Sequence, residues 1–336
     1  DNGLVQARFD RRGRLIALRV DGVAVGLTGP VDVLLYPDNP ANFEAWDIDH
    51  ATVALGVPAM PEVELSVGER GPVRASLRVS GTIGAGSAVT ISYTLDAGSR
   101  WLQVEVELDW REERSLLKAH IPTAYRGRAA RYGTPFGSVA RPQQPSGQSE
   151  EAMWEVPASR WAAVTNDDGE GLAVVTEASY GFGCRDGELT LSLVRHATSP
   201  DPKQDLGQHR IRFALGRHQI RSHGEILATA AAADALFTPP IVVAGGELTQ
   251  PLVELEQLGS LVPAWIAPER AGEGWVLRLH ETAGARGTAI MRLATQPKAI
   301  ELIDLLERRI GGVKKRSPRA YEITYEPYQL LSVRVR

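Results

Sequence analysis

Apolar and polar residues alternate along much of this chain with a period of two. In residues 101–110, Leu102, Val104, Val106 and Leu108 share one side, while Gln103, Glu105, Glu107 and Asp109 share the other. Such alternation predicts a strand with one dry and one wet face, as in antiparallel sheets. Residues 63–67, 189–193, 275–279, 322–325 and 331–335 repeat the pattern. Turn signals fall between these runs at residues 10–13, Asp21-Gly22, residues 166–169 and Asp186-Gly187. Asx-Gly pairs supply the positive φ that tight hairpins require. With 33 glycines and 21 prolines, the chain suits many short elements joined by turns. The fold class read from the pattern is all-β.

One segment departs from it. Residues 222–237 are alanine-rich and free of proline, and Ile226, Ala230, Ala233 and Phe237 fall on one helical face. Ser222 and Glu225 have capping-box spacing, and Pro239-Pro240 ends the element. This predicts one helix closing a first domain over residues 1–240, followed by a smaller β module over 241–336. Residues 141–150 form a polar loop too long for a hairpin, and Lys314-Lys315-Arg316 is a solvated charge run near a turn.

Composition narrows the function classes. Of the 336 residues 43% are apolar and 23% charged, with a net charge of −4, which excludes intrinsic disorder and a basic nucleic-acid binder. Apolar runs stay short of the ~20 residues that span a bilayer, and the N-terminus lacks a signal-peptide pattern. The expectation is therefore a protein with neither nucleic acid nor membrane as partner. A lone cysteine, Cys184, forms no internal disulfide and favours a reducing, cytoplasmic setting.

Catalytic motifs are sparse. The seven histidines contain no HxH or HExxH spacing, there is no CxxC, and no G-x-S-x-G elbow occurs. Cys184 reads as a small, half-buried thiol, and both Gly84-Ala85-Gly86 and Gly181-Phe182-Gly183 read as turns. Two clusters stand out. Residues 36–50 mix Tyr36, Phe43 and Trp46 with Glu44, Asp47 and Asp49 in a stretch that does not alternate. Aromatic platforms beside carboxylates suit a sugar, which has apolar C–H faces and a hydroxyl rim. The other reading is a packed loop whose Trp46 fills the core while Asp47 and Asp49 satisfy backbone donors. Residues 195–209 form an irregular, exposed loop carrying His196, Asp201, Asp205, Gln208 and His209 ahead of a strand at 210–215. Arg160-Trp161 reads as a strand-end tryptophan covered by a guanidinium.

Together these segments resemble the C-terminal half of glycoside hydrolase family 38, the α-mannosidases. Residues 1–15 resemble the strand pair after that family's catalytic region, and residues 43–49 its W-D-A-W-D-I-D stretch, with Phe43-Glu44 in place of Trp-Asp. Residues 131–142 match I-P-F-G-x-x-x-R-P, residues 155–162 match E-V-P-A-x-R-W-A, and residues 277–284 match L-R-L-Y-E-T-A-G with His280 for tyrosine. Tyr180-Gly181-Phe182, residues 191–195, Pro200-Asp201-Pro202 and residues 205–209 follow in the family's order.

The resemblance implies a galactose-mutarotase-like supersandwich followed by a small β-sandwich. It implies that zinc and an aspartate nucleophile belong to a catalytic domain of the same polypeptide, outside these residues, so that no catalytic residue or metal ligand maps here. The chain alone is then inert toward the α-mannoside substrate. Residues expected to rim the sugar pocket are Trp46, Asp47, Asp49, Asp205, Gln208 and His209. Homo-oligomerisation through the sandwich is open by the same resemblance. Two other readings stand beside it: a free-standing carbohydrate-binding sandwich, and an aldose epimerase pairing His196 or His209 with Asp205.

Overall fold

The computed structural model describes residues 1–219, 223–238, 245–246 and 251–336; for 223–228 it describes the backbone alone. The chain divides into two compact units. The first comprises Asp1–Gly133, Val139–Arg221 and Thr229–Phe237, and the second Thr134–Ser138, Ser222–Ala228 and Thr238–Arg336. The boundary expected at 240/241, the Pro239-Pro240 stop and the Ser222–Glu225 cap lie outside the described residues and side chains.

Both units are built from antiparallel sheets. In the first, a nine-stranded sheet runs in spatial order Gly137–Pro142, Ala129–Thr134, Trp161–Thr165, Glu170–Thr176, Gly207–Gln219, Leu102–Trp110, Ser87–Asp96, Arg74–Ile83 and Val63–Arg70. A six-stranded sheet runs Val156–Pro157, Gly181–Arg185, Glu188–Arg195, Ser115–Pro122, Asp32–Pro37 and Val57–Pro58. Val5–Phe9, Leu15–Val20 and Val23–Val25 make a third, smaller sheet. One apolar core joins the large sheets: Ile91, Val104, Val106 and Leu215 come from the first, and Leu117, Ile121, Phe182 and Leu191 from the second.

The period-two reading holds where one face is dry. Leu102–Trp110 alternates buried and wetter positions along its length. The pairs Asp21-Gly22 and Asp186-Gly187 hold positive φ at both residues, 50° and 77°, then 46° and 80°, as a type I′ turn requires. Elsewhere tertiary position overrides the pattern. Val63–Arg70 is the outermost strand of its sheet, so Leu65 and Val67 stay 40% and 51% exposed. Glu170–Thr176 is buried on both faces over Leu172, Ala173, Val174 and Val175. Gly181-Phe182-Gly183 is not a turn but the start of a strand. Its glycines permit close backbone approach, since a Cβ on Gly183 would lie 2.6 Å from the Trp154 carbonyl oxygen.

The helix forms over His223–Phe237. Thr229, Ala233 and Phe237, spaced four apart, are buried as one stripe, while the side chain of Ile226 lies outside those described. The stripe packs on the nine-stranded sheet, with the Arg212 guanidinium 5.6 Å from the Phe237 ring centre. Arg160 does not cover Trp161; it donates to the Ala233 carbonyl at 2.9 Å and lies 3.3 Å from Asp234. His218 is buried beside Trp161, with its Nδ1 2.6 Å from the Thr229 hydroxyl.

The second unit is a small two-sheet sandwich. A four-stranded sheet runs Val253–Glu256, Gly287–Leu293, Ala320–Tyr325 and Lys314–Ser317. A five-stranded sheet runs Leu261–Pro268, Trp275–Glu281, Leu330–Val335, Ile300–Ile303 and Arg309–Gly312. Leu277, Leu279, Met291, Ile323 and Val333 share its core. Glu281, fully buried, is a loop organiser: its carboxylate accepts N–H groups from Ala283 at 2.9 Å, Gly284 at 2.8 Å and Tyr328 at 2.7 Å. The 314–316 charge run is exposed, as expected, on an edge strand that leads into the turn at 318–319, and Lys314 and Arg316 pair with Glu322.

His218 makes the first unit acid-sensitive. Burial, aided by the Arg131 charge, lowers its pKa from 6.5 to about 4. The unfolded chain therefore binds a proton that the folded chain refuses as pH falls from 6.5 toward 4. This single group is expected to remove up to about 3 kcal/mol of stability across that window. Urea unfolding at pH 7 and pH 4.5 should show the loss, and His218→Gln should flatten the difference.

Candidate functional site

The two clusters of interest are joined by one arginine. Arg195 ends the strand Glu188–Arg195 and reaches across to the loop that follows Asp32–Pro37. Its Nε donates to the Asp38 carboxylate at 2.5 Å, Nη1 to the Ala45 carbonyl at 3.2 Å, and Nη2 to the carbonyls of Glu44, at 2.7 Å, and Asp47. Only a planar, multi-donor cation can hold a carboxylate and three carbonyls at once. Asp38 is 1% exposed, and burial keeps its carboxyl above the ordinary range against the pull of Arg195. A second tie runs from Thr198, whose hydroxyl and N–H donate to the Glu44 carboxylate at 2.6 and 3.1 Å. Those bonds, the hydroxyl's first, hold Glu44 below its ordinary value.

This clamp fixes what the loop presents. Phe43 sits at φ 53° with its carbonyl accepting the N–H groups of Trp46 and Asp47. Phe43 and Trp46 are 74% and 75% exposed, so the tryptophan does not fill the core. Asp47 and Asp49 serve the loop itself. Asp47 accepts the N–H of Ile48 at 2.9 Å, and Asp49 that of Ala41 at 3.0 Å.

The other three candidates stand apart from the loop. Asp205 is exposed at φ 56°, and its carbonyl oxygen lies 2.6 Å from His209 Nε2. Strand structure begins at Gly207 rather than Arg210, which pairs Gln208 with Asp109 and His209 with Leu108. Gln208 and His209 there line a concavity of the nine-stranded sheet with Ser80, Thr90, Glu107 and Asp109. Arg195, Thr198 and Glu44, none of them named from the sequence as site residues, tie the 38–47 loop to the start of the 195–209 segment and make no contact with Asp205, Gln208 or His209. His196 is fully buried, with Nδ1 accepting the Arg114 N–H at 2.9 Å and Nε2 3.3 Å from the Pro202 carbonyl. Neither His196 nor His209 therefore presents a free imidazole to the Asp205 carboxylate. Cys184 is buried rather than half-buried, and desolvation pushes its thiol up to about 12, unsuited to nucleophilic work. Among the described residues, no group of three or more His, Cys, Asp or Glu side chains could hold a metal ion.

Comparison with known proteins places this framework. The model described as the glycosyl hydrolases family 38 C-terminal domain matches residues 1–203. The model described as the family 38 C-terminal beta sandwich domain matches residues 260–333. The chain is similar to alpha-mannosidase 2C1 of Homo sapiens, 29% identical over 350 residues, covering 99% of this chain and 33% of that protein. An alpha-mannosidase of Saccharomyces cerevisiae is 22% identical over 303 residues, covering 84% of this chain and 28% of its own length. The chain thus spans about a third of the length of the curated relatives it matches. The crystal structure of an alpha-mannosidase from Enterococcus faecalis V583 shares the fold, with TM-score 0.77 at 15% identity over 100% of this chain and 42% of that one.

Removing the clamp tests its part in the site. Arg195→Ala strands the Asp38 carboxylate in a buried place without its cation, and is expected to cost about 3–5 kcal/mol. Arg195→Lys recovers only part, because an ammonium cannot reach all four acceptors. Chemical denaturation of both variants and hydrogen exchange at the amides of Trp46 and Asp47 measure the effect.

Proposed function

The chain belongs to glycoside hydrolase family 38 as its C-terminal domains, and from that membership we propose that it is the non-catalytic portion of a cytoplasmic, zinc-dependent, retaining α-mannosidase. It packs on a catalytic domain of the same polypeptide, and its clamped loop, with Trp46, Asp47 and Asp49, rims the sugar pocket. Asp205, Gln208 and His209 serve as the second part of that rim. The observation that carries the reading is colinear: two models of C-terminal domains match in order, within relatives about three times as long.

The chemistry agrees. Retaining glycosidases place a nucleophile and an acid about 5–5.5 Å apart, and the Asp47 and Asp49 carboxylates here are spent on backbone donors. Zinc would supply Lewis acidity and orient the sugar in the catalytic domain. The described residues of this chain offer no donor set that fits it, so no step is routed through the metal here. Support for the rim comes from exposure. Phe43 and Trp46 project from a loop pinned by Arg195, and ordered, exposed aromatics mark surfaces that meet something. Among the described residues, no helix is long and apolar enough to cross a membrane, and the cytoplasmic setting is supported by a single, buried thiol.

Two measurements test this. The purified chain should release no product from an aryl α-mannoside, with activity appearing only when a catalytic region is joined to it; full hydrolysis by the chain alone overturns the reading. In the joined protein, Trp46→Ala should lower kcat/KM roughly tenfold, about 1.4 kcal/mol, while moving the melting temperature little. An unchanged kcat/KM removes Trp46 from the rim, and tight mannoside binding by the chain alone that Trp46→Ala abolishes favours a free-standing binding module.

A further inference from the structure

The outward face of the six-stranded sheet carries a cavity of about 180 Å³. Its floor comes from the side chains that alternate with the core: Leu34 and Tyr36 from one strand, Leu116 and Lys118 from the next, and Thr190 beyond. Trp154 and His50 flank it, their rings 5.8 Å apart at 64°.

Its charges are already balanced. The Lys118 side chain is 5% exposed and contacts the Glu155 carboxylate, which also accepts the Ser192 hydroxyl at 2.5 Å. His120 Nε2 lies 3.2 Å from Glu188, and Arg185 is tied to the carbonyls of Glu150 and Glu151 at 2.9 and 2.8 Å. Two cations, Lys118 and Arg185, thus face two carboxylates, Glu155 and Glu188. An anion or a cation entering this space would unbalance the largely buried Lys118–Glu155 pair.

Its neutral hydrogen-bonding groups are unspent. Among the described residues, the hydroxyl of the buried Tyr36, the indole N–H of the half-buried Trp154 and the exposed His50 ring form no hydrogen bond, so all three remain open to a ligand. Tyr36 is 6% exposed and is braced by Gly56, where a Cβ would lie 2.4 Å from its ring. Burial, then the Glu155 and Glu188 charges, push its phenol up to about 12, so it remains a donor. Lys118 Nζ lies 5.7 Å from the centre of the Trp154 ring, which sets a polar edge against an aromatic wall.

We propose that this cavity binds one neutral, polyhydroxylated six-membered ring, a hexopyranose or cyclitol, with its hydroxyl edge on Tyr36, Lys118 and Thr190 and a C–H face on Trp154. The inference rests on the first unit alone and stands whether or not the chain serves a catalytic domain. Calorimetry and tryptophan fluorescence on the 336-residue chain test it, with D-mannose, D-glucose, myo-inositol, sodium acetate and inorganic phosphate as probes.

One-site saturation at roughly millimolar concentration by a hexose or by inositol is expected, without saturation by acetate or phosphate. Tyr36→Phe should weaken binding at least about fivefold by removing one hydroxyl, and Trp154→Leu should abolish it. Circular dichroism confirms that each variant folds. Absence of saturable binding by every neutral probe, preferential binding of phosphate or acetate, or unchanged affinity in both Tyr36→Phe and Trp154→Leu overturns the proposal. None of these results bears on where hydrolytic activity resides.

Discussion

Each large sheet of the first unit has an apolar face that only the other can keep dry, and the rest of that unit follows from this pairing. Leu117, Ile121 and Leu191 from one sheet and Val104, Val106 and Leu215 from the other share one core. Burying them commits every alternate residue to the opposite side. There Tyr36, Lys118 and Thr190 arrive on the outward face of the smaller sheet as a by-product of register. The strand Glu188–Arg195 likewise delivers Arg195 to a sheet end, where the 38–47 carbonyls take up its donors.

The framework was legible where local pattern and tertiary environment agree. Leu102–Trp110 and Leu330–Val335 read as strands because one face of each meets a core. Val63–Arg70 carries the same alternation, yet it borders its sheet and half its apolar side stays wet. Glu170–Thr176 shows why periodicity under-reads a covered strand: with both faces dry, nothing selects polar residues at alternate positions. Gly181 and Gly183 misled because glycine marks turns and close backbone approaches alike.

The site was less legible. Aromatics set among carboxylates marked the 36–50 segment and an irregular loop the 195–209 segment, and the structure ties them together, but through Arg195, Thr198 and Glu44. Asp47 and Asp49 face their own backbone, as a packed loop would have them, while Trp46 stands in solvent, as a platform would. The packed-loop reading thus describes the two aspartates and fails for the tryptophan. The cavity beside Lys118 had no sequence signal, since its walls come from strand, loop and helix segments spread between Leu34 and Thr190.

The outermost strand of the small sandwich, Lys314–Ser317, has a further consequence. Three successive basic residues line it, and Glu322 offsets only part of their charge. Two copies meeting along this border in antiparallel register would bring like charges together across a ladder spacing of about 4.8 Å. Self-association by β-augmentation at this rim is thereby disfavoured.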